Sequence, residues 1–259
     1  MSELLTIEDR GPVRRLTLDR PGKKNAIPPD GWDELAAAFA DFAASEARAL
    51  VITGAGGDFC SGADVMSLTG LGGGVAGAVQ AMAHTGAAAL ALHRLAKPTI
   101  AAVDGVAVGA GMNLALGCDI VIATERARFS EIFVQRGLTL DFGGSWLLPR
   151  LIGLARARDL ALTGRIVGAE EALAIGLVSR VVPVGDLEAV ATETAETLAA
   201  GAPLAQRFVK VALDRSFDLT FEQAIEVEGQ AQAVLGGTED VREAVTGFAE
   251  KRKPQFKGR

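Results

Sequence analysis

The sequence predicts an α/β fold followed by a helical C-terminal region, and three observations carry that expectation. Short apolar runs, glycine-rich loops and helical stretches alternate as far as about Val182, the pattern of strands covered by helices. Beyond about Pro203 the apolar spacing is helical throughout. A chain of 259 residues, 49% of them hydrophobic, is also long enough for one large core or a core with a small appendage.

The elements follow in order. Residues 4–7 and 13–18 flank a turn at 9–11 and read as a hairpin. Trp32, Leu35, Ala36, Phe39 and Phe42 recur at helical spacing behind Pro28 and Pro29, which mark a helix entry. Residues 49–52 and 99–103 are short continuous apolar runs and read as buried strands. Between them lies a glycine-rich stretch, 68–80, expensive to order, and an alanine-rich helical stretch, 75–95. The C-terminal helices cover 204–215, 221–235 and 240–251, with a turn at Gly236, Gly237 and Thr238. The organisation is therefore an α/β core over 1–202 and a helical region over 203–259, whose apolar faces fit either the chain's own core or a neighbour.

Composition narrows the function. A formal charge of −6 argues against nucleic acid as a primary partner, because phosphate binding needs a basic surface. The exception is the tail, where Lys251, Arg252, Lys253 and Lys257 read as a solvated face or as a site for one phosphorylated ligand. Two histidines make a His-rich metal site an unexpected one, and Cys60 and Cys118 read as buried thiols. No run is expected to reach the roughly 18 apolar residues that a membrane span needs, and the acidic start MSELLTIEDR has no apolar signal region. The expectation is a cytoplasmic protein without a membrane partner.

Two glycine-rich motifs carry the chemistry: FCSGAD over 59–64 and VDGVAVGAGMNLALGCD over 103–119. Each sits just after a predicted strand. Glycine lets the backbone approach a ligand and turn N–H groups toward it, which suits a carbonyl oxygen gaining negative charge. The dinucleotide fingerprint G-x-G-x-x-G fails, since Leu114 stands where the third glycine belongs. No phosphate-loop pattern occurs either.

The order of LDRPGKKNAI (18–27), FCSGAD, KPTIAAVDGVAVGAGMNLALGCD (97–119), GGSWLLPRLIG (143–153) and EKRKPQF (250–256) resembles the crotonase, or enoyl-CoA hydratase/isomerase, superfamily. The resemblance covers nearly the whole chain. It implies a superhelix of β-β-α turns, C-terminal trimerisation helices, a homotrimer or dimer of trimers, and an acyl-CoA thioester substrate whose coenzyme A is the only cofactor group. It also implies that the N–H groups of Ala63 and Ala110 hold the thioester oxygen. The coenzyme A ester would lie along Lys24, Ala26, Ser61, Asp64, Val65, Met66 and Gly109, with Lys251 from a neighbour's tail as a further phosphate ligand. Asp64 itself reads as a loop ligand, because a carboxylate beside an enolate opposes it. The 68–80 stretch becomes a wall of the acyl pocket.

The sequence departs from the hydratase pattern at both catalytic glutamates. Asn113 and Phe133 stand at those positions, as substrate contacts that cannot transfer a proton. Asp141 matches the acid/base aspartate that the resemblance implies for dienoyl-CoA and ring-epoxide isomerases. Among Phe133, Leu140, Phe142 and Trp146 its carboxyl should be partly desolvated, with a pKa raised toward proton shuttling; the rival reading is a helix N-cap. Glu131 ranks behind it, because a strand, loop or helix from 131 to 133 turns it away from Phe133. His84 and His93 read as packed or solvated, and Ser145 lacks the G-x-S-x-G context. With one acid/base group the chain favours isomerisation over hydration. A weak hydratase, a nucleophilic Asp141 and a non-catalytic acyl-CoA binder remain open.

Overall fold

In the computed structural model, which describes residues 4–64 and 74–259, β1 (Leu5–Arg10) and β2 (Val13–Leu18) form the predicted hairpin around Gly11, at φ 60°. Parallel pairing then carries the sheet through β3 (Ala49–Gly54), β4 (Thr99–Val103), β6 (Ile120–Thr124) and β9 (Arg180–Val182). The strand order is β1-β2-β3-β4-β6-β9. A second sheet joins β5 (Val106–Val108), β7 (Arg128–Ser130) and β8 (Val167–Gly168) in the order β5-β7-β8.

Strand alternation divides the core. Leu50 and Ile52 of β3 face the larger cluster, with Trp32, Leu35, Phe39 and Phe42 of helix α1 (Gly31–Ala44). Ala49 and Val51 face the opposite side and meet Ala191 and Ala195 of helix α7 (Leu187–Ala199). Parallel strands buried on both faces explain why the strand sequences are continuous apolar runs rather than alternating ones.

Helix α2 (Gly74–His93) packs on α1 and buries Thr85, Ala88 and Leu92. The expectation that no segment is long and apolar enough to cross a membrane is corrected here, because α2 meets both criteria on length and composition. Alanine supplies that hydropathy, and a chain of small residues conceals it from a search for bulky apolar runs. Four short helices follow: α3 (Ala110–Leu116), α4 (Gly144–Ile152), α5 (Leu154–Thr163) and α6 (Ala169–Ala174).

The C-terminal helices are α8 (Pro203–Arg215), α9 (Phe221–Gly236), entered through a Thr220/Gln223 capping box, and α10 (Glu239–Ala249). Within one chain α8 and α9 contain no fully buried residue, and Phe208 of α8 is only half-buried. Phe221 is 77% exposed and Phe248 88% exposed, so these two aromatic side chains are not spent on the chain's own core.

Candidate active site

The two glycine motifs lie side by side. Cys60 N donates to Val106 O at 2.8 Å and Val108 N donates to Cys60 O at 2.9 Å, so the FCSGAD segment joins β5 through a parallel bridge at Cys60. Close approach needs glycine on both sides. A side chain at Gly111 would overlap Cys60 O, and one at Gly62, held at φ 89°, would meet Val108 O at 2.9 Å and Ala110 N at 3.4 Å. Gly109 precedes α3 at φ 56° and ψ −130°, a conformation that L side chains rarely adopt.

The result is two backbone donors left over. Ala110 begins α3, so its N–H has no intrahelical acceptor, and Ala63 N is skipped when Ile27 N bonds Gly62 O and Asp64 N bonds Ile27 O. Neither amide meets an acceptor among the described residues. Such a pair can receive an oxygen that becomes negative.

The LDRPGKKNAI segment borders this pair on one side. Ser61 N donates to Lys24 O at 2.9 Å and the Cys60 thiol to Asn25 O at 3.2 Å, while buried Asn25 ties the segment to Ala55 O and Asp58 O. Lys24, Ala26, Ser61 and Asp64 are therefore brought together. Lys24 is exposed, with its ammonium 4.0 Å from Asp58. Asp64 is buried and lies 3.3 Å from the Arg20 guanidinium, which also donates to Ala26 O at 2.6 Å. Its charge is directed at Arg20, as a loop ligand would be. Val65, Met66 and positions 68–73 of the glycine-rich stretch lie outside the described residues; 74–80 belong to α2. Lys251 sits exposed in the turn after α10, and no contact joins it to the Lys24 cluster among the described residues of one chain.

On the other side stands a buried polar cluster. Asn113, fully buried one turn along α3 from Ala110, donates from Nδ2 to Asp141 O at 3.0 Å and to Glu131 Oε2 at 3.4 Å. Gly144 makes room for it, since any side chain there would overlap the Asn113 amide. Phe133 is buried with its ring against Gly109. Asp141 is half-buried ahead of Phe142, whose φ of 47° is rare for a bulky residue and marks a strained corner. The Phe142 ring is braced by Trp32 at 5.6 Å.

The capping alternative for Asp141 does not hold. Helix α4 takes Gly143 as its N-cap without any side-chain cap bond, and buried Asp141 Oδ1 has no partner among the described residues. Desolvation raises the Asp141 carboxyl to about 6.

The reading that Glu131 faces away is corrected. It is fully buried, meets Asn113, and is pushed up to about 8 by burial, against the Asn113 hydrogen bond and with added repulsion from Asp141. Its backbone, at φ −84° and ψ 63°, is neither strand nor helix, and this corner between β7 and the 3₁₀ turn Ile132–Arg136 swings the side chain inward. His84 is paired with Asp33 at 2.7 Å and His93 stacks edge-on against Trp146 at 5.3 Å. Exposed Ser145 sits in the first turn of α4. A cavity of about 280 Å³, lined by Leu90, Leu92, His93, Phe142, Trp146 and Leu147, reaches the residue next to Asp141.

Comparison with known proteins adds the lineage. Residues 8–259 match the model of a family described as enoyl-CoA hydratase/isomerase. The chain is 36% identical over 256 residues to the short-chain-enoyl-CoA hydratase of Clostridium acetobutylicum, covering 98% of this chain and 97% of that protein. It is 37% identical over 262 residues to the 1,2-epoxyphenylacetyl-CoA isomerase of Escherichia coli, with full coverage of both. The crystal structure of an enoyl-CoA hydratase from Bacillus anthracis superposes with a TM-score of 0.94 at 32% identity, covering 99% of this chain and all of that one.

Proposed function

The chain belongs to the enoyl-CoA hydratase/isomerase family, and from that premise we propose that it moves a double bond, or opens a ring epoxide, in an acyl-CoA thioester with Asp141 as its acid/base. The observation that carries this reading is the uncapped, partly desolvated Asp141 carboxyl held one Asn113 side chain away from α3, whose first amide is Ala110. At neutral pH Asp141 is ionised and can remove a proton from the acyl chain. The electron pair moves onto the thioester oxygen as an enolate, which the N–H groups of Ala63 and Ala110 stabilise, each worth about 3 to 4 kcal/mol in the barrier. The same carboxyl returns the proton at the other end of the conjugated system. These transfers involve no redox step, and coenzyme A enters as part of the substrate.

The cavity beside Phe142 and Trp146 suits the apolar end of the acyl group. Lys24 is the candidate for a coenzyme A phosphate, and Lys251 would serve a neighbouring site. The uncovered aromatic residues of α9 and α10 favour self-association, and the resemblance to the family gives the homotrimer or dimer of trimers as its form.

Hydration is the second reading, favoured by the presence of Glu131 as another carboxyl and by the names of several relatives. Hydration needs an acid and a base around one water, and Glu131, with no exposed surface, is sealed from a substrate. Isomerisation of 3-hexenoyl-CoA and hydration of 2-hexenoyl-CoA, measured side by side in wild type and Asp141→Asn, test the choice. The reading expects the first activity to dominate and to depend on Asp141. Dominant hydration would overturn it, and binding without either activity would favour a non-catalytic acyl-CoA binder.

A further inference from the structure

Three buried acceptor atoms from three separate elements have no partner among the described residues: Asn113 Oδ1 on α3, Glu131 Oε1 after β7 and Asp141 Oδ1 before α4. Buried polar atoms are rarely left unpaired. A proton on one of the two carboxyls supplies such a cluster with a donor. Glu131 is the candidate, because it has no exposed surface whereas Asp141 retains some, and burial disfavours the charged form most where water is most excluded. Protonation turns one Glu131 oxygen into a donor while Oε2 still accepts from Asn113 Nδ2.

Among the described residues no cation is paired with Glu131 or Asp141, and the buried, unpartnered Nε of Arg150 makes no bond to either. Helix α3 carries no charged residue, Arg128 of β7 and Arg136 of the 3₁₀ turn are exposed, and Arg150 of α4 stacks on Trp146. On α5, Arg156 and Arg158 are exposed and Asp159 pairs with Arg165. Asp141 is the charged side chain that acts on Glu131.

We propose that Glu131 is a positioning residue of this site: neutral and buried, it holds the Asn113 amide against the Asp141 backbone and leaves Asp141 as the cluster's single negative charge. This rests on the reading of Asp141 as acid/base. Ionisation of Glu131 would place a second negative charge in the cluster, oppose the charge that develops on the thioester oxygen and on Asp141, and draw the Asn113 amide toward Glu131 and away from the Asp141 backbone, because a carboxylate accepts more strongly than a carboxylic acid. Activity should therefore fall on both sides of neutrality, on the acid side as Asp141 gains its proton and on the alkaline side as Glu131 loses one.

The test is the pH profile of kcat/KM for 3-hexenoyl-CoA isomerisation in wild type, Glu131→Gln and Asp141→Asn. Wild type should lose activity below about 6 and above about 8, following the two carboxyls. Glu131→Gln, which is neutral at every pH, should keep activity within about threefold at pH 7 and lose the alkaline limb while keeping the acid one. An unchanged alkaline limb in Glu131→Gln overturns the proposal. Normal activity in Asp141→Asn would instead overturn the acid/base reading beneath it. Carbon-13 NMR of wild-type protein labelled at glutamate carboxyls decides the matter independently of folding of the variant or choice of substrate: one glutamate should remain protonated at pH 7, and uniform ionisation of all of them refutes the proposal.

Discussion

Replacing Asp141 by asparagine should sharply reduce turnover and stabilise the protein at the same time. The Asp141 carboxyl is held at about 6 in the fold against an ordinary 3.8, with desolvation as the cause. Between those two values the folded protein keeps a proton that the unfolded chain has lost, so stability falls as pH rises through that window. By pH 7 the ionised carboxyl destabilises the fold by about 3 kcal/mol, at about 1.4 kcal/mol per unit. Asparagine never ionises and removes that penalty. Its NH₂ group, where left without an acceptor, returns about 1 to 2 kcal/mol of it, so the net gain is roughly 1 to 3 kcal/mol, or an increase in Tm of roughly 2 to 6 °C for a chain of this size. Thermal unfolding of both proteins at one concentration, at pH 7 and pH 4, measures it, and the advantage should vanish at the lower pH. In the same preparation turnover should drop by roughly two to four orders of magnitude. A variant that is less stable at pH 7, or whose stability difference ignores pH, would refute burial as the cause of the shift. Intact turnover would refute the catalytic role.

Three further outcomes follow from the same geometry. Ala63→Pro removes one of the two unpartnered amides without touching the bonds of Ile27 and Asp64; kcat should fall by roughly 10² to 10³ with the circular dichroism spectrum retained, and an unchanged kcat would take Ala63 out of the oxyanion site. Lys24→Glu combined with Lys251→Glu should weaken binding of a coenzyme A ester measured by calorimetry, more so at low salt than at high salt, whereas unaltered affinity would remove both phosphate assignments. Phe221 and Phe248, exposed in the isolated chain, should be covered by self-association, so light scattering at micromolar concentration should give an oligomer, a trimer or hexamer if the family's assembly holds here, and a strict monomer contradicts it.

What the sequence discloses about this molecule divides along a physical line. Strand and helix positions were legible because periodicity is a property of consecutive residues: Leu50 and Ile52 against Ala49 and Val51 already encode a strand buried on two faces. The paired glycine loops were legible for a related reason, since a conformation such as that of Gly109 restricts residue choice at the position itself. Glu131 was not legible, because its direction is set by one corner residue at φ −84° and ψ 63° and its partner, Asn113, lies 18 positions away. The Arg20 pairing with Asp64, across 44 positions, was hidden in the same way. Counting carboxyls in the sequence near the motif therefore gave one acid/base group, whereas the fold gathers two and distinguishes them by access to solvent. That difference assigns them different work: a carboxyl that keeps some exposure can exchange a proton with a substrate, and one sealed behind Asn113 can only hold its proton and keep the other in place.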